Sequence, residues 1–127
     1  MLKIAKSRLV KLKGKVPGNI VFLHGDALQL PFRPKSFSTV ISLNLLHVLE
    51  DAKRVLFELR NVVADGGTIS LTTLIENNRL ADKYLHMWGK GGEVVPRNAK
   101  QLFAIFDALN MPIEYCIKGN LVFIYYR

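Results

Sequence analysis

The sequence of 127 residues has a single cysteine, Cys116, and no apolar run long enough to cross a bilayer. One cysteine excludes an internal disulfide, which fits a reducing compartment. The basic N-terminus is not followed by the apolar segment that a secretory signal needs. We therefore expect a cytoplasmic protein and no membrane partner.

Acidic residues are absent from the first fifteen positions, and positive charge is concentrated there. The basic residues of this segment are Lys3, Lys6, Arg8, Lys11, Lys13 and Lys15. The other 112 residues carry twelve basic and ten acidic groups within a net charge of +8. Such a segment can attract nucleic-acid phosphates, so nucleic acid is a candidate partner through the basic N-terminus. A solvated helix face is the simpler interpretation, because no aromatic residue is interleaved for base stacking.

Histidine and cysteine are scarce, with three and one in the sequence. His24 and His86 have no Cys or His companions at the spacing of a metal site, so no metal site is predicted. Cys116 alternates with Tyr115 and Ile117 in a predicted strand and is interpreted as a packing thiol, not as a nucleophile.

Half of the residues are hydrophobic and 22% are charged, which predicts one folded domain with a hydrophobic core. Leu2, Ala5, Leu9 and Leu12 recur at helical spacing and predict an amphipathic helix over residues 1–13. The elements predicted next are a strand at 19–24, a loop at 25–35, a strand at 38–43 and a helix at 51–63 with Asp51 as its N-cap.

The second half continues the alternation of strands and helices. After a turn at Gly66 and Gly67, the predicted elements are a strand at 68–74, helices at 78–88 and 98–109, and strands at 113–118 and 121–126. Gly119 and Asn120 join the last two strands as a hairpin. The strand at 38–43 is apolar on both faces, which suits a buried parallel sheet, and the last strand is predicted inside the sheet. The pattern indicates an α/β fold.

Three motifs in residues 21–74 share one resemblance. Gly25-Asp26-Ala27 with Leu30-Pro31-Phe32, the segment Ser36–Val40, and Glu58 with the glycine pair are similar to G-D-A-x-x-L-P-F, S-F-D-x-V and E-x-x-R-V-L-K-P-G-G of class I S-adenosylmethionine-dependent methyltransferases. The resemblance is modest over residues 1–20 and mostly topological over residues 75–127. It departs from the family pattern at Ser38, Asn61 and Asp65, where Asp, Arg and Pro are usual.

The resemblance implies a truncated Rossmann-like methyltransferase sheet, mostly parallel, with a C-terminal antiparallel hairpin. It implies S-adenosylmethionine as the cofactor, with the Asp26 carboxylate accepting the adenine amino group and the Ala27 N–H reaching an adenine ring nitrogen. The alternative for Asp26 is an Asx-type turn after a strand. Asn44, Leu45 and His47 would line the cofactor and substrate pocket. His47 could act as a general base, but a structural or pocket-lining role is favoured.

The sequence has only 24 residues before Gly25, and neither the glycine-rich turn nor the ribose-binding acid of the family can be placed in it. Residues 1–127 are therefore interpreted as a single domain that lacks the first two strands of the family fold. Because residues 1–5 resemble the helix after the ribose-binding acid, Met1 is interpreted as an internal position of a longer ancestral gene.

Three functions remain open. The first is a methyltransferase-like protein that is truncated or needs a partner for activity. The second is a non-enzymatic methyltransferase-like module for oligomerisation or partner binding, and the third is a nucleic-acid-associated protein. Because a strand without its family neighbours leaves an apolar edge, a homo-oligomer or a complementing chain is expected.

Overall fold

The structure is a computed structural model that describes residues 1–77 and 80–127. The α/β fold class is confirmed. The elements are α1 Leu2–Lys13, β1 Phe37–Leu43, a short 3-10 helix Leu46–Val48, α2 Ala52–Val62, β2 Val63–Leu74, α3 Asp82–Lys90, α4 Ala99–Ala108, β3 Ile113–Lys118 and β4 Leu121–Tyr126.

The four strands of the described residues form one sheet in the order β1-β2-β4-β3. β1 runs parallel to β2, whereas β4 is antiparallel to both of its neighbours. The predicted hairpin and the interior position of the last strand are confirmed, with Gly119 at a φ of 66° in the turn. One of these three pairings is parallel, whereas a mostly parallel sheet was expected.

Residues 19–24 do not form a strand, so that prediction was wrong. A strand needs a neighbouring strand to pair with its N–H and C=O groups. The resemblance implies that this neighbour is one of the first two strands of the family fold, and the described residues do not supply it. Ile20, Val21 and Leu23 consequently stay exposed.

The hydrophobic core lies between one face of the sheet and helices α2 and α4. Its fully buried members include Leu56, Ile69, Leu102, Phe106 and Val122. Helix α2 begins at the predicted N-cap Asp51, and α4 begins at a further capping residue, Asn98. The Asp51 carboxylate accepts the Arg54 N–H at 2.8 Å, and Asn98 forms a capping box with Gln101.

The other face of the sheet is left uncovered by the described residues. Ile41 is 65% exposed and Leu43 is 68% exposed on β1, and Phe123 and Tyr125 of β4 are also exposed. The expected burial of β1 on both faces was therefore wrong. β1 is an edge strand in which Ser42 alone is buried. Cys116 is exposed as well, so its interpretation as a packing thiol was wrong.

The glycine pair lies within β2 and not before it. The strand begins at Val63, directly after α2, and the register with β1 shifts between the Phe37–Val63 and Thr39–Thr68 pairs. Gly66 takes the positive φ that this irregularity needs.

Two helices differ from expectation in extent or in packing. The helix predicted at 78–88 begins at residues 78 and 79, which lie outside the described residues; the described helix α3 continues through Gly89 to Lys90. Helix α1 forms as predicted, but none of its residues is buried. Within the described ranges, no helix has the length and apolar character required to cross a bilayer.

Candidate functional site

The loop after residue 24 contains a tight turn that begins at Asp26 and ends at Gln29. Its carboxylate oxygen Oδ1 accepts the Leu28 N–H at 2.9 Å, and its carbonyl accepts the Gln29 N–H at 3.2 Å. The Asx-type turn is thus present. Among the described residues, the second carboxylate oxygen and the Ala27 N–H have no hydrogen-bond partner, so one acceptor and one donor remain available on this loop.

Helix α2 holds this loop in place through two charged side chains. Glu58 is a buried residue with 7% exposure, and its carboxylate accepts the Leu30 N–H at 3.0 Å through Oε2. Its Oε1 lies 2.8 Å from the Arg54 guanidinium, and Arg54 Nε donates to the Leu28 carbonyl at 3.0 Å. The loop is therefore fixed within its turn at Leu28 and just after it at Leu30.

Asn44 and Leu45 lie just beyond the carboxyl end of β1, the edge at which open α/β sheets bind ligands. Asn44 is exposed with a φ of 54°, and its N–H donates to the Thr72 carbonyl at 2.8 Å. Leu45 is half-buried and packs against the core.

His47 is a buried residue with several protein partners. The Leu74 N–H donates to its Nδ1 at 3.3 Å, and the Thr73 hydroxyl lies 3.1 Å from the same nitrogen. A ring that accepts at Nδ1 carries its proton on Nε2 when it is neutral. Burial lowers the pKa of His47, and the positive charge of Arg97 lowers it further. These contacts favour a neutral ring that fixes the segment after β1.

Sequence reasoning missed Arg97, which clamps the same segment. Its guanidinium donates to the carbonyls of Leu46 at 2.9 Å, Leu49 at 2.8 Å and Glu50 at 2.7 Å. Burial lowers its pKa, and the charge of Glu50 opposes that shift. In the sequence, Arg97 lies between Pro96 and the N-cap of α4. That position gives no indication of contacts with residues about fifty positions earlier.

The structure divides the predicted site residues between the core and the surface. Ala27 and Leu45 both pack against the core cluster, while Asp26 and Asn44 are exposed. Within the described residues, no group of three His, Cys, Asp or Glu side chains could hold a metal ion. His86 instead lies with its Nε2 2.7 Å from Glu76 Oε1.

Residues 1–71 of the chain match a protein family described as "Methyltransferase domain". Among curated proteins, phthiotriol/phenolphthiotriol dimycocerosates methyltransferase of Mycobacterium tuberculosis is 34% identical over 80 residues. That match covers 63% of this chain and 29% of the relative, so the chain spans less than a third of the relative's length.

Solved structures share the fold at low sequence identity. A putative methyltransferase of Bacillus halodurans superposes with a TM-score of 0.80 at 12% identity, over 99% of this chain and 78% of that chain. The putative methyltransferase of Haloferax volcanii, solved in complex with the Trm112 methyltransferase activator, gives 0.77 at 15% identity, over 99% and 66% of the two chains. The Rossmann-like methyltransferase fold is thereby confirmed.

Proposed function

This chain belongs to the methyltransferase domain family, and on that premise we propose that its loop at Asp26 is the adenine side of an S-adenosylmethionine site. The family and the fold together support a methyltransferase-like protein of the S-adenosylmethionine-dependent class.

The proposal is supported by two polar groups of the loop that have no hydrogen-bond partner among the described residues, the second carboxylate oxygen of Asp26 and the Ala27 N–H. The adenine edge offers an amino donor beside a ring-nitrogen acceptor. The second oxygen of Asp26 can accept from the amino group, and the Ala27 N–H can donate to the ring nitrogen. Because Glu58 fixes the loop at Leu30, these groups are held before a ligand arrives, which reduces the entropic cost of binding.

Asn44, Leu45 and His47 are proposed to form the wall of the pocket beyond β1. In this arrangement His47 is a positioning residue, because the ring nitrogen that could take a proton already accepts the Leu74 N–H. When bound, S-adenosylmethionine supplies a methyl group on a sulfonium. The part of the protein is then to orient donor and acceptor for in-line displacement.

The ribose and methionine contacts are proposed to come from residues beyond positions 1–127 or from another chain. Among the described residues, no glycine-rich turn follows a strand, since Gly89, Gly91 and Gly92 lie in or directly after α3. Residues 1–127 would then act as one domain without the first two strands of the family fold. With only the adenine side present, we expect weak cofactor binding by this chain alone.

The proposal is tested by titrating the chain with S-adenosylmethionine in a calorimeter and with S-adenosylhomocysteine in an NMR experiment. We expect affinity weaker than micromolar, with the largest amide shifts at Asp26, Ala27 and Leu28. Asp26→Asn keeps an oxygen for the Leu28 N–H but can present an amide donor to the adenine amino group, so it should reduce these shifts. Asp107→Asn, at an exposed position of α4, is the control.

Two results would contradict different parts of the proposal. Micromolar binding by the chain alone would show that no further contacts are needed. If saturating ligand caused no change in the amide chemical shifts of residues 25–30, the proposed adenine site would be contradicted.

A second candidate, a non-enzymatic module that binds a partner or a second copy, is favoured by the uncovered sheet face around Ile41 and Phe123. The two candidates differ in their dependence on the loop. If Asp26→Asn leaves every measured function of the protein intact while substitutions on the sheet face abolish it, the module is the better description.

A further inference from the structure

Helix α1 stands apart from the rest of the fold in its exposure. None of its residues is buried, and its apolar side chains include Leu12 at 79% exposure and Ile4 at 57%. It is nevertheless a complete helix, closed by Gly14 at a φ of 75° whose N–H donates to the Val10 carbonyl at 2.7 Å. Isolated helices of this length are marginal in water, so an unpacked α1 has little to stabilise it.

The apolar and basic residues of α1 are arranged in stripes along its axis. At 3.6 residues per turn, Met1, Leu2, Ala5, Leu9 and Leu12 occupy a single stripe. Lys6 and Lys13 border that stripe on one side and Arg8 on the other. The helix and Lys15 together carry six positive charges and no acid.

We propose that α1 lies flat on an anionic lipid surface, with its apolar stripe in the headgroup boundary and the bordering cations Lys6, Arg8 and Lys13 on lipid phosphates. Charge complementarity supports this occupant, because polybasic segments bind anionic lipids with an affinity that grows with each cation. Long lysine side chains can bury their methylene stems while their ammonium groups stay in water. This proposal departs from the expectation of no membrane partner, which was drawn from the lack of a segment that could cross a bilayer; a helix that lies on the surface needs no such segment.

A lipid surface fits these residues better than a nucleic acid does. Phosphate contacts along a duplex use the cations and leave Leu2 and Leu12 in water, whereas an interface takes up both kinds of side chain. The first twenty residues contain no aromatic side chain that could stack on a base. The inference rests on residues 1–15 and is independent of the Asp26 loop.

The test uses the full chain and vesicles of phosphatidylcholine with or without about one third phosphatidylglycerol. We expect co-sedimentation with the anionic vesicles alone, a rise in helical circular dichroism on binding, and loss of binding at high salt. Each cation near the surface strengthens binding about fivefold, so the triple variant Lys6→Gln, Arg8→Gln, Lys13→Gln, which removes the cations beside the stripe, should bind roughly 100-fold more weakly. The control variant, Lys53→Gln, Lys100→Gln, Lys118→Gln, removes the same charge elsewhere and should bind within about fivefold of the unmodified chain.

The apolar stripe is tested separately with Leu12→Gln, which should weaken vesicle binding about tenfold. Its matched control is Leu80→Gln, because Leu80 has the same 79% exposure and lies outside α1. Thermal melting checks that every variant folds.

Three outcomes overturn the proposal. Absence of binding to the anionic vesicles is one. Tighter binding to a 20-base-pair duplex than to vesicles, with no effect of Leu12→Gln, would assign the helix to nucleic acid. Conversion of an oligomer to a monomer by Leu12→Gln, without vesicle binding, would assign the stripe to a second copy of the chain.

Discussion

The buried carboxylate of Glu58 accepts the backbone N–H of Leu30 at 3.0 Å, across 28 positions of sequence. This bond links the middle of α2 to the loop that carries Asp26. Glu58 belongs to the segment that resembles E-x-x-R-V-L-K-P-G-G, and its contact fixes the shape of the candidate adenine loop.

Replacement of Glu58 should therefore loosen the loop as well as destabilise the fold. Glu58→Ala is expected to lower the free energy of unfolding by about 2 kcal/mol, because it removes a buried charged acceptor. Glu58→Gln retains an acceptor for Leu30 and should cost about 1 kcal/mol. Urea denaturation measures both, with exposed Glu93→Ala as the control. Equal losses for the alanine and glutamine variants would show that the Leu30 bond contributes little.

The two glycines of β2 should respond differently to alanine. At Gly67 an added Cβ would lie 2.8 Å from the Ser38 carbonyl oxygen and 2.8 Å from a methyl of Val63, so the strands must separate. At Gly66 nothing lies within 4 Å, and the cost comes from its φ of +72°. We expect losses of about 3 kcal/mol for Gly67→Ala and about 1 kcal/mol for Gly66→Ala in urea denaturation. The opposite order would contradict the close approach of β1 at this point.

The pKa of His47 gives the stability a defined dependence on pH. Burial, and then Arg97, lower this pKa below its ordinary value of 6.5, so the unfolded chain binds the proton more readily. The contribution of His47 to the free energy of unfolding is complete above pH 6.5 and is lost as the pH falls through the lowered pKa.

His47→Asn offers an oxygen to the Leu74 N–H without a group that titrates in this range. The difference in unfolding free energy between the unmodified chain and this variant should shrink on acidification. Chemical denaturation at a series of pH values measures it. A difference that is constant with pH would mean that the ring has the same pKa in both states.

The exposed edge and face of β1 should make the chain associate. A homo-oligomer is expected in light scattering at high concentration, since Ile41 and Leu43 lie exposed on an edge strand that carries no charge. Ile41→Lys should shift the population to monomer without loss of stability, and Leu80→Lys, at an exposed leucine away from the sheet, should not. A monomer at every concentration of the unmodified chain would contradict this prediction.

Elements with their own local signals could be predicted from the sequence. Asp51 marks the start of α2 through a side chain that caps the helix, and Gly119 with Asn120 fixes the hairpin. Each signal acts over about four residues, which is the range that sequence patterns report reliably.

Features that depend on distant partners could not be predicted. Residues 19–24 have a strand pattern, but a strand exists through its neighbour. The exposure of β1 depends in the same way on what covers it. Arg97 contacts carbonyls near Leu46 through a fold that no local pattern encodes. At the site, the sequence indicated Asp26 and His47, but not that Glu58, Arg54 and Arg97 hold their segments in place.

The position of β4 between β2 and β3 has a kinetic consequence. Leu71 pairs with Ile124, so the centre of the sheet closes a loop of about fifty residues that contains α3 and α4. The β3–β4 hairpin joins neighbouring residues and can form within microseconds. Folding should then be limited by docking of this finished hairpin onto β2. Substitutions in the hairpin turn should slow refolding less than substitutions at the β2–β4 contact do.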